Sequence, residues 1–450
     1  MDFIPLVAQP LLAAFAPLFT RPTFERWLLL CVAAIVTPGR RTISNLLRTV
    51  ASLVAGHPSS YHRVFSHRRW TLWGLSHALA HFILIQWVPT GPVALAGDDT
   101  VEEHPGRKVF GKARHRDPVR SSHTFTAWRW GHKWVVLALL VPFPFAHRPW
   151  ALPGLVALYQ ATKENAEQGR RHTTPATLLR QLTTVLLHWF PERHFVLAGD
   201  GGYGTHEMAR FAHRYRHRLS LVSRFYATAN LYAPPPLRRS AGPQRGRPRI
   251  RGSKQPSPQQ VVARASRQRT WVQWYGGSSR RVEIVSQRAH RYKTGHGLVP
   301  VRWVFVHDCS GTHRAEYFFT TALALSPTQI VEFYTGRWSL ETTFQELRAY
   351  MGLETTCGWT QATVLRAAPC LFGLFSMVAL LYTQLPSCHT QGGQVAWVGK
   401  REVTFSDALA AVRRWVWTEW IFVKAGHTQA FSQLPTSLQN TLLYALAPAA

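Results

Sequence analysis

Val93-Ala94-Leu95-Ala96-Gly97-Asp98-Asp99-Thr100 and Phe195-Val196-Leu197-Ala198-Gly199-Asp200-Gly201-Gly202-Tyr203 are the two stretches from which the fold can be read. Each opens on an apolar run too short for a helix and ends it with Ala-Gly-Asp, the pattern of a buried strand with a carboxylate at its C-terminal tip. Strand-like runs also occur at 133–141, 152–158, 281–285, 299–307 and 316–320, and helical patterns at 174–189 and 206–217. Strands alternating with helices predict a mixed α/β sheet. The ordinary alternative for an aspartate after a strand is a turn or helix cap. The repetition argues for more, because two carboxylates at the tips of adjacent strands can share hard divalent cations. Two such ions support phosphodiester chemistry by activating the attacking oxygen and stabilising the leaving one.

Those carboxylates stand out because acid is scarce. The 450 residues carry 52 Lys and Arg against 22 Asp and Glu, a formal charge of +30, although only 16% of the chain is charged. A hydrophobic fraction of 46% with 18 Trp and 24 Phe suffices for a sizeable core and excludes wholesale disorder. A pI near 11.1 points to a polyanionic partner, nucleic acid or an anionic membrane surface. The apolar runs 27–36, 134–146 and 370–385 each fall short of the roughly 20 residues of a spanning helix, so they are expected in the core and no membrane partner is expected. The N-terminus carries Asp2, Pro5, Pro10 and Pro17 and reads as no signal peptide. Five cysteines without a CxxC pair imply a reduced, cytoplasmic protein with neither a disulfide framework nor structural zinc.

Residues 40–81 are helical in pattern. Ile43, Leu46, Leu47, Val50, Leu53 and Val54 recur at helical spacing behind Thr42, a second short helix starts at Ser59 or Ser60, and a third starts near Trp70. Arg40, Arg41, Arg48, Arg63, Arg68 and Arg69 are interleaved with aromatics, which suits a small DNA-binding unit or a plain packing layer equally well. No acidic residue occurs between Glu207 and Glu283, and 233–259 is a Pro/Gly/Ser-rich linker by composition. Within it Arg245-Gly246-Arg247-Pro248 is similar to the core of an AT-hook, which enters the minor groove; contact with backbone phosphate needs only the charge.

The third block is Tyr334-x2-Arg337-x3-Glu341-x6-Arg348. On one helix these four side chains line a single polar stripe, whereas Glu346 lies off it, so Glu341 is the candidate carboxylate. Gly336 interrupts the expected helix.

This block resembles the Tyr-Arg-Glu-Lys signature of DDE transposases of bacterial insertion sequences, with Arg348 in place of the final Lys. Asp98-Asp99-Thr100 is similar to their first-aspartate block and Leu197 to Tyr203 to their second; the segments 107–123 and 170–172 also read like this family. The resemblance covers about 40–358. It implies an RNase H-like fold in which Asp98, Asp200 and Glu341 ligate two Mg²⁺ ions, with Mn²⁺ as a substitute. Asp99 is the other candidate for first ligand, since adjacent strand residues point to opposite faces. It further implies that Tyr334, Arg337, Arg348 and Lys108 hold phosphates, and that a β-rich insertion separates the second aspartate from the glutamate. Arg245 and Arg247 would add DNA contacts from that insertion.

The organisation expected is a helical DNA-binding domain at 1–90, a catalytic domain at 91–206 and 321–385, a basic β-rich insertion at 207–320 and a helical region at 386–450. The function expected is cleavage of the terminal inverted repeats of a mobile element and strand transfer into target DNA. A homodimer would bind two ends, with a hairpin intermediate on them, in the cytoplasm on the nucleoid. The rival readings are a DNA-binding descendant without catalysis and a peripheral membrane protein.

Overall fold

A computed structural model of the chain describes residues 4–104, 106–117, 120–122, 124–167, 169, 171–236, 249–390 and 402–448. Arg245 and Arg247 lie outside the described residues.

The N-terminal part contains helices α1 (Arg21–Val36), α2 (Ile43–Thr49), α3 (Ser59–Ser66) and α4 (Leu72–Trp87). Thr42 caps α2 by accepting from the Asn45 amide, and Thr71 caps α4 through the Gly74 amide, since their hydroxyls satisfy donors that the first helical turn leaves unpaired. The strands follow: β1 (Val93–Glu103), β2 (Ala113–Arg116), β3 (Trp128–Val141) and β4 (Trp150–Tyr159). Then come α5 (Pro175–Trp189), β5 (Phe195–Gly199), α6 (His206–Arg214) and β6 (Leu219–Arg224). Six further strands are β7 (Leu231–Tyr232), β8 (Lys254–Gln255), β9 (Gln268–Gln273), β10 (Ser279–Lys293), β11 (Gly297–Asp308) and β12 (Glu316–Thr320). Helices α7 (Pro327–Gly336), α8 (Trp338–Ala349), α9 (Gln361–Gln384), α10 (Phe405–Trp415) and α11 (Thr436–Leu446) complete the frame.

All these strands join one mixed sheet in the order β2-β3-β1-β5-β6-β12-β11-β10-β7-β8, with β4 also on β3 and β9 on β10. Strands β1, β5 and β6 are parallel, and the other pairings are antiparallel. This is the RNase H-like mixed sheet flanked by helices that the sequence led one to expect. The β-rich segment is not a detached unit: β12 pairs with β6 through Phe318↔Arg224 to Thr320↔Val222, so its strands widen the core sheet. Helix α6 and β6 belong to the parallel core, and the β-rich segment therefore begins after Arg224.

Strand β3 lies inside the sheet between β1 and β4 and is buried on both faces, which explains the unbroken apolar run from Trp134 to Val141. Leu179 of α5 sits so close to Gly97 that a Cβ there would lie 2.4 Å from its Cδ2. Gly199 is held equally tightly by Tyr203, whose Cβ would be 2.8 Å away. The glycine before each aspartate is thus a close-approach position. Gly97→Ala is expected to cost about 1–3 kcal/mol through overpacking. Urea unfolding checks this, and part of the loss should return when Leu179 is also shortened to alanine.

The apolar run 370–385 belongs to a longer element than its sequence suggested. Helix α9 has 24 residues and is long and apolar enough to cross a membrane, but 72% of its most apolar window is buried against the protein. It packs on β4, where the Ser376 hydroxyl donates to the Pro153 carbonyl at 3.0 Å, and Phe375 stacks on Phe405 of α10 at 4.0 Å. The first 40 residues, expected within a helical domain at 1–90 but without a role of their own, join this core through Phe15, Trp27 and Leu28. Arg413 of α10 donates to the Ile35 carbonyl at 2.7 Å, tying the C-terminal helices to α1.

Candidate active site

Strand β1 does not end at its aspartates. It runs on to Glu103, paired with β3, while its parallel pairing with β5 stops at Gly97↔Gly199. The sheet therefore splits beside Asp98, and Asp98 and Asp200 are the residues that follow the last paired position of the two parallel strands. A sheet of this kind opens its crevice at the carboxyl ends of the strands where neighbouring strands diverge.

The pleat separates the two adjacent aspartates. Asp99 points to the α5 side, where its Oδ2 accepts from the Tyr203 hydroxyl at 2.9 Å and its Oδ1 meets Lys133 Nζ at 2.8 Å. Asp98 points to the other side, toward the junction of α7 and α8, where its Oδ2 accepts from Arg337. Burial, with the like charges of Asp99 and Asp200, outweighs the attraction of Arg337 and pushes the Asp98 carboxyl up to about 7. Asp200 uses Oδ1 for a turn, accepting from the amides of Gly202 at 2.9 Å and Tyr203 at 3.3 Å. Its Oδ2 accepts no hydrogen bond among the described residues.

Arg337 lies at the hinge between α7 and α8. Ser326 and Gln329 form a capping box that starts α7, and Gly336 ends it, as a poor helix former would. The expected single helix is consequently two. The backbone at Arg337 stays in the right-handed region, and i→i−3 bonds from the Arg337 amide to Tyr334 and from the Leu340 amide to Arg337 tighten the turn. The polar stripe survives this change. Arg337 donates through Nη1 to Asp98 and through Nη2 to Glu341 Oε1 at 2.8 Å, and Arg348 donates to the Thr100 hydroxyl at 2.8 Å. Burial would lower the Arg337 guanidinium, but Asp98 and Glu341 hold it above the ordinary arginine range. Glu341 remains part-exposed, its side chain 44% accessible. Glu346, off the stripe, is half-buried, with Arg148 the charge acting on it.

The structure therefore joins Asp98 and Glu341 through Arg337, places Asp200 near enough for its charge to act on Asp98, and sets Arg348 one step further along β1. Tyr334 is beside them but buried, stacked on Phe318 at 4.2 Å with the Arg337 guanidinium over its ring. Lys108 is exposed in the loop beyond the far end of β1, and no hydrogen bond or ion pair links it to the carboxylates among the described residues. Four neighbours carried no signal in the sequence strong enough to single them out. Lys133 and Tyr203 hold Asp99, while Arg224 pairs with Glu316 at the tip of β6, and Tyr275 donates to the same Glu316 at 3.2 Å. Only Tyr203, inside the second aspartate block, had a local clue.

Three carboxylates are a hard-oxygen donor set of the kind that Mg²⁺ and Mn²⁺ prefer. Among the described residues no three acidic, histidine or cysteine side chains stand close enough together to hold a metal ion, and the Arg337 guanidinium lies between Asp98 and Glu341. The donor chemistry fits a divalent ion, and Arg337 supplies the positive charge in this conformation.

Antiparallel β4-β3-β1 continued by parallel β1-β5-β6, with helices flanking the sheet, defines a mixed α/β protein of RNase H-like fold. The chain belongs to the DDE superfamily endonuclease family, whose model matches residues 14–281, more than half of its length. That match spans Asp98 and Asp200 and stops before Glu341. Among solved structures, the chain is similar to the piggyBac transposase synaptic complex with hairpin DNA, determined by cryo-electron microscopy. The identity is 13% and the TM-score 0.39, over 99% of this chain and 84% of that one. No curated protein matches the sequence.

Proposed function

We propose that the protein is a DNA transposase that binds the terminal inverted repeats of its element, cleaves phosphodiester bonds there and joins the freed strands to target DNA. The observation that carries this reading is that Asp98 and Asp200 each follow the last paired position of the parallel strands β1 and β5, with Glu341 joined to Asp98 through Arg337. Family membership and the +30 charge support it.

In this reading Asp98, Asp200 and Glu341 hold two Mg²⁺ ions, for which Mn²⁺ substitutes, and Asp99 serves as a buried support fixed by Lys133 and Tyr203. When bound, the ions polarise the scissile phosphate and lower the pKa of the attacking oxygen. Arg337 and Arg348 position phosphate oxygens, Arg337 through a planar fork suited to bidentate contact. Tyr334 orients Arg337 by packing beneath its guanidinium, and Lys108 meets the DNA flank. The protein works as a homodimer on two ends, in the cytoplasm on the nucleoid, without a membrane partner.

The decisive experiment incubates the purified chain with Mg²⁺ and a labelled fragment carrying the inverted repeat that borders its gene. Nicking at the repeat boundary is expected. A second reading, a DNA-binding protein that no longer cleaves, is favoured by the Arg337 ion pairs, which engage two of the three carboxylates. Sequence-specific binding with no nicking in either Mg²⁺ or Mn²⁺ would select it.

The acid-free segment is proposed to lie along DNA. Arg245→Ala with Arg247→Ala is expected to weaken binding and to lower the salt slope by about 0.9 for each phosphate that is no longer neutralised. A titration between low and moderate salt reads this, and an unchanged slope would remove both residues from the interface.

A further inference from the structure

The far end of β1 carries a surface that the cleavage chemistry does not use. There β2 pairs with the start of β3, Arg114 opposite Trp130 and Arg116 opposite Trp128, and β2 is an edge strand. On the inner side of this hairpin His115 is buried, and Arg129 is ion-paired with Glu103 and Asp117, both at 2.9 Å. On the outer side Trp128 and Trp130 are 49% and 60% exposed, and Arg114 and Arg116 are exposed beside them. The Arg114 guanidinium lies 4.9 Å from the Trp128 ring centre, and Lys112 Nζ lies 6.0 Å from that of Trp130. The rings border an open groove of about 640 Å³, whose carboxylates, Glu103 and Glu354, both face Arg129.

Two large aromatic rings left in water are costly unless something covers them. The chemistry around them selects the occupant. An apolar protein partner would have to desolvate Arg114 and Arg116, whereas a polyanion neutralises them. Duplex DNA presents phosphates but keeps its base faces stacked. An unpaired strand presents phosphates and base faces together, and single strands are held by stacking on aromatics beside cationic side chains, here Arg114, Arg116 and Lys112. Spacing agrees: residues two apart on a strand are separated by about 6.8 Å, roughly twice the 3.4 Å rise per nucleotide, so one base fits between the two rings. The groove lies five residues along β1 from Asp98, about 17 Å, a span of roughly five nucleotides.

We propose that the outer face of the β2–β3 hairpin binds unpaired nucleotides of a DNA strand, with a base stacked on Trp128 and Trp130 and phosphates on Arg114 and Arg116. The proposal rests on the reading of the protein as a DNA-processing enzyme, but its test reads binding without metal, so failure of either leaves the other standing. Full-length protein in EDTA is titrated against fluorescein-labelled oligo(dT)12 and against a labelled 20-base-pair duplex. Trp128→Ala with Trp130→Ala should weaken oligo(dT)12 binding at least about tenfold, as loss of stacking predicts, and change duplex binding less than twofold. Trp128→Phe with Trp130→Phe should retain single-strand binding within about threefold. A 5-iodouracil oligonucleotide should photo-crosslink to the peptide containing Trp128 and Trp130, which keeps the test decisive if the alanine pair folds poorly. Equal losses on both DNA forms, no loss on oligo(dT)12, or crosslinks confined to other segments would each overturn the assignment.

Discussion

Asp200→Asn and Glu341→Gln should each reduce Mg²⁺-dependent nicking by about 10²–10³-fold, the scale at which removal of a single charge-stabilising group is felt in a preorganised site. Neither substitution should change affinity for the terminal fragment more than a few-fold. Asp200 reaches no cation among the described residues, and its fold role is a turn that asparagine can also make through its carbonyl oxygen. Glu341 is part-exposed and pairs with Arg337, so glutamine preserves the shape of α8. Single-turnover nicking together with an electrophoretic binding assay separates the two effects. Loss of binding and cleavage together would make these residues structural. The same assay on Asp99→Asn distinguishes the two adjacent aspartates. Asp99 answers to Lys133 and Tyr203, so its loss should appear first as lowered stability.

The second large effect concerns pH. Glu102 is two pleats beyond Asp98 on the same face of β1 and is 1% exposed. Trp134 Nε1 donates to it at 2.6 Å and the Thr356 hydroxyl at 3.3 Å. Burial pushes its carboxyl up from 4.5 to about 8, against those two hydrogen bonds. Below about pH 4.5 the group is protonated in the folded and unfolded chains alike, and its contribution is fully present. Between there and about pH 8 the unfolded chain releases the proton while the folded chain keeps it, so stability falls by up to about 1.4 kcal/mol per pH unit. Glu102→Gln removes this dependence. The variant should therefore be indistinguishable from the parent near pH 4.5 and more stable by a few kcal/mol above pH 8, on the order of the integrated slope. Urea midpoints at several pH values test it. His132, 3.9 Å from Glu102 and pushed down to about 4 by burial, titrates in both proteins and drops out of the comparison. A parent and variant with parallel pH profiles would mean that Glu102 ionises freely in the fold.

Much of this site was legible because its parts are local. A four-residue apolar run ending in Ala-Gly-Asp has few conformations open to it, and it appears as β1 and β5. Tyr334, Arg337, Glu341 and Arg348 share a stripe because helical spacing dictates it, and the interruption at Gly336 shifts that stripe without breaking it. Elements that lack such a pattern were not seen. Ala113–Arg116 and Gln268–Gln273 are short, polar and half-exposed edge strands, formed because β3 and β10 offer unpaired backbone, and nothing in their own residues demands extension. Leu219–Arg224 was hidden by its brevity within a basic region. The run 370–385 looked short because Arg366 interrupts the apolar pattern, yet Arg366 caps the carbonyls of Phe65 and Trp70 and the helix continues through it.

The sequence by itself determined the mixed α/β class, the strands that carry Asp98 and lead to Asp200, and the strongly basic character, because these follow from composition and short-range periodicity. Only the tertiary structure gave Asp98 and Asp99 their separate partners. The pleat requires them to face opposite ways, but which faces the site depends on Lys133 and Tyr203 on one side of the sheet and Arg337 on the other. The same holds for the first 40 residues, whose apolar helices could have covered any face until α9 and α10 offered theirs. Local pattern sets what a segment can bury, and the partner that completes the burial comes from far along the chain.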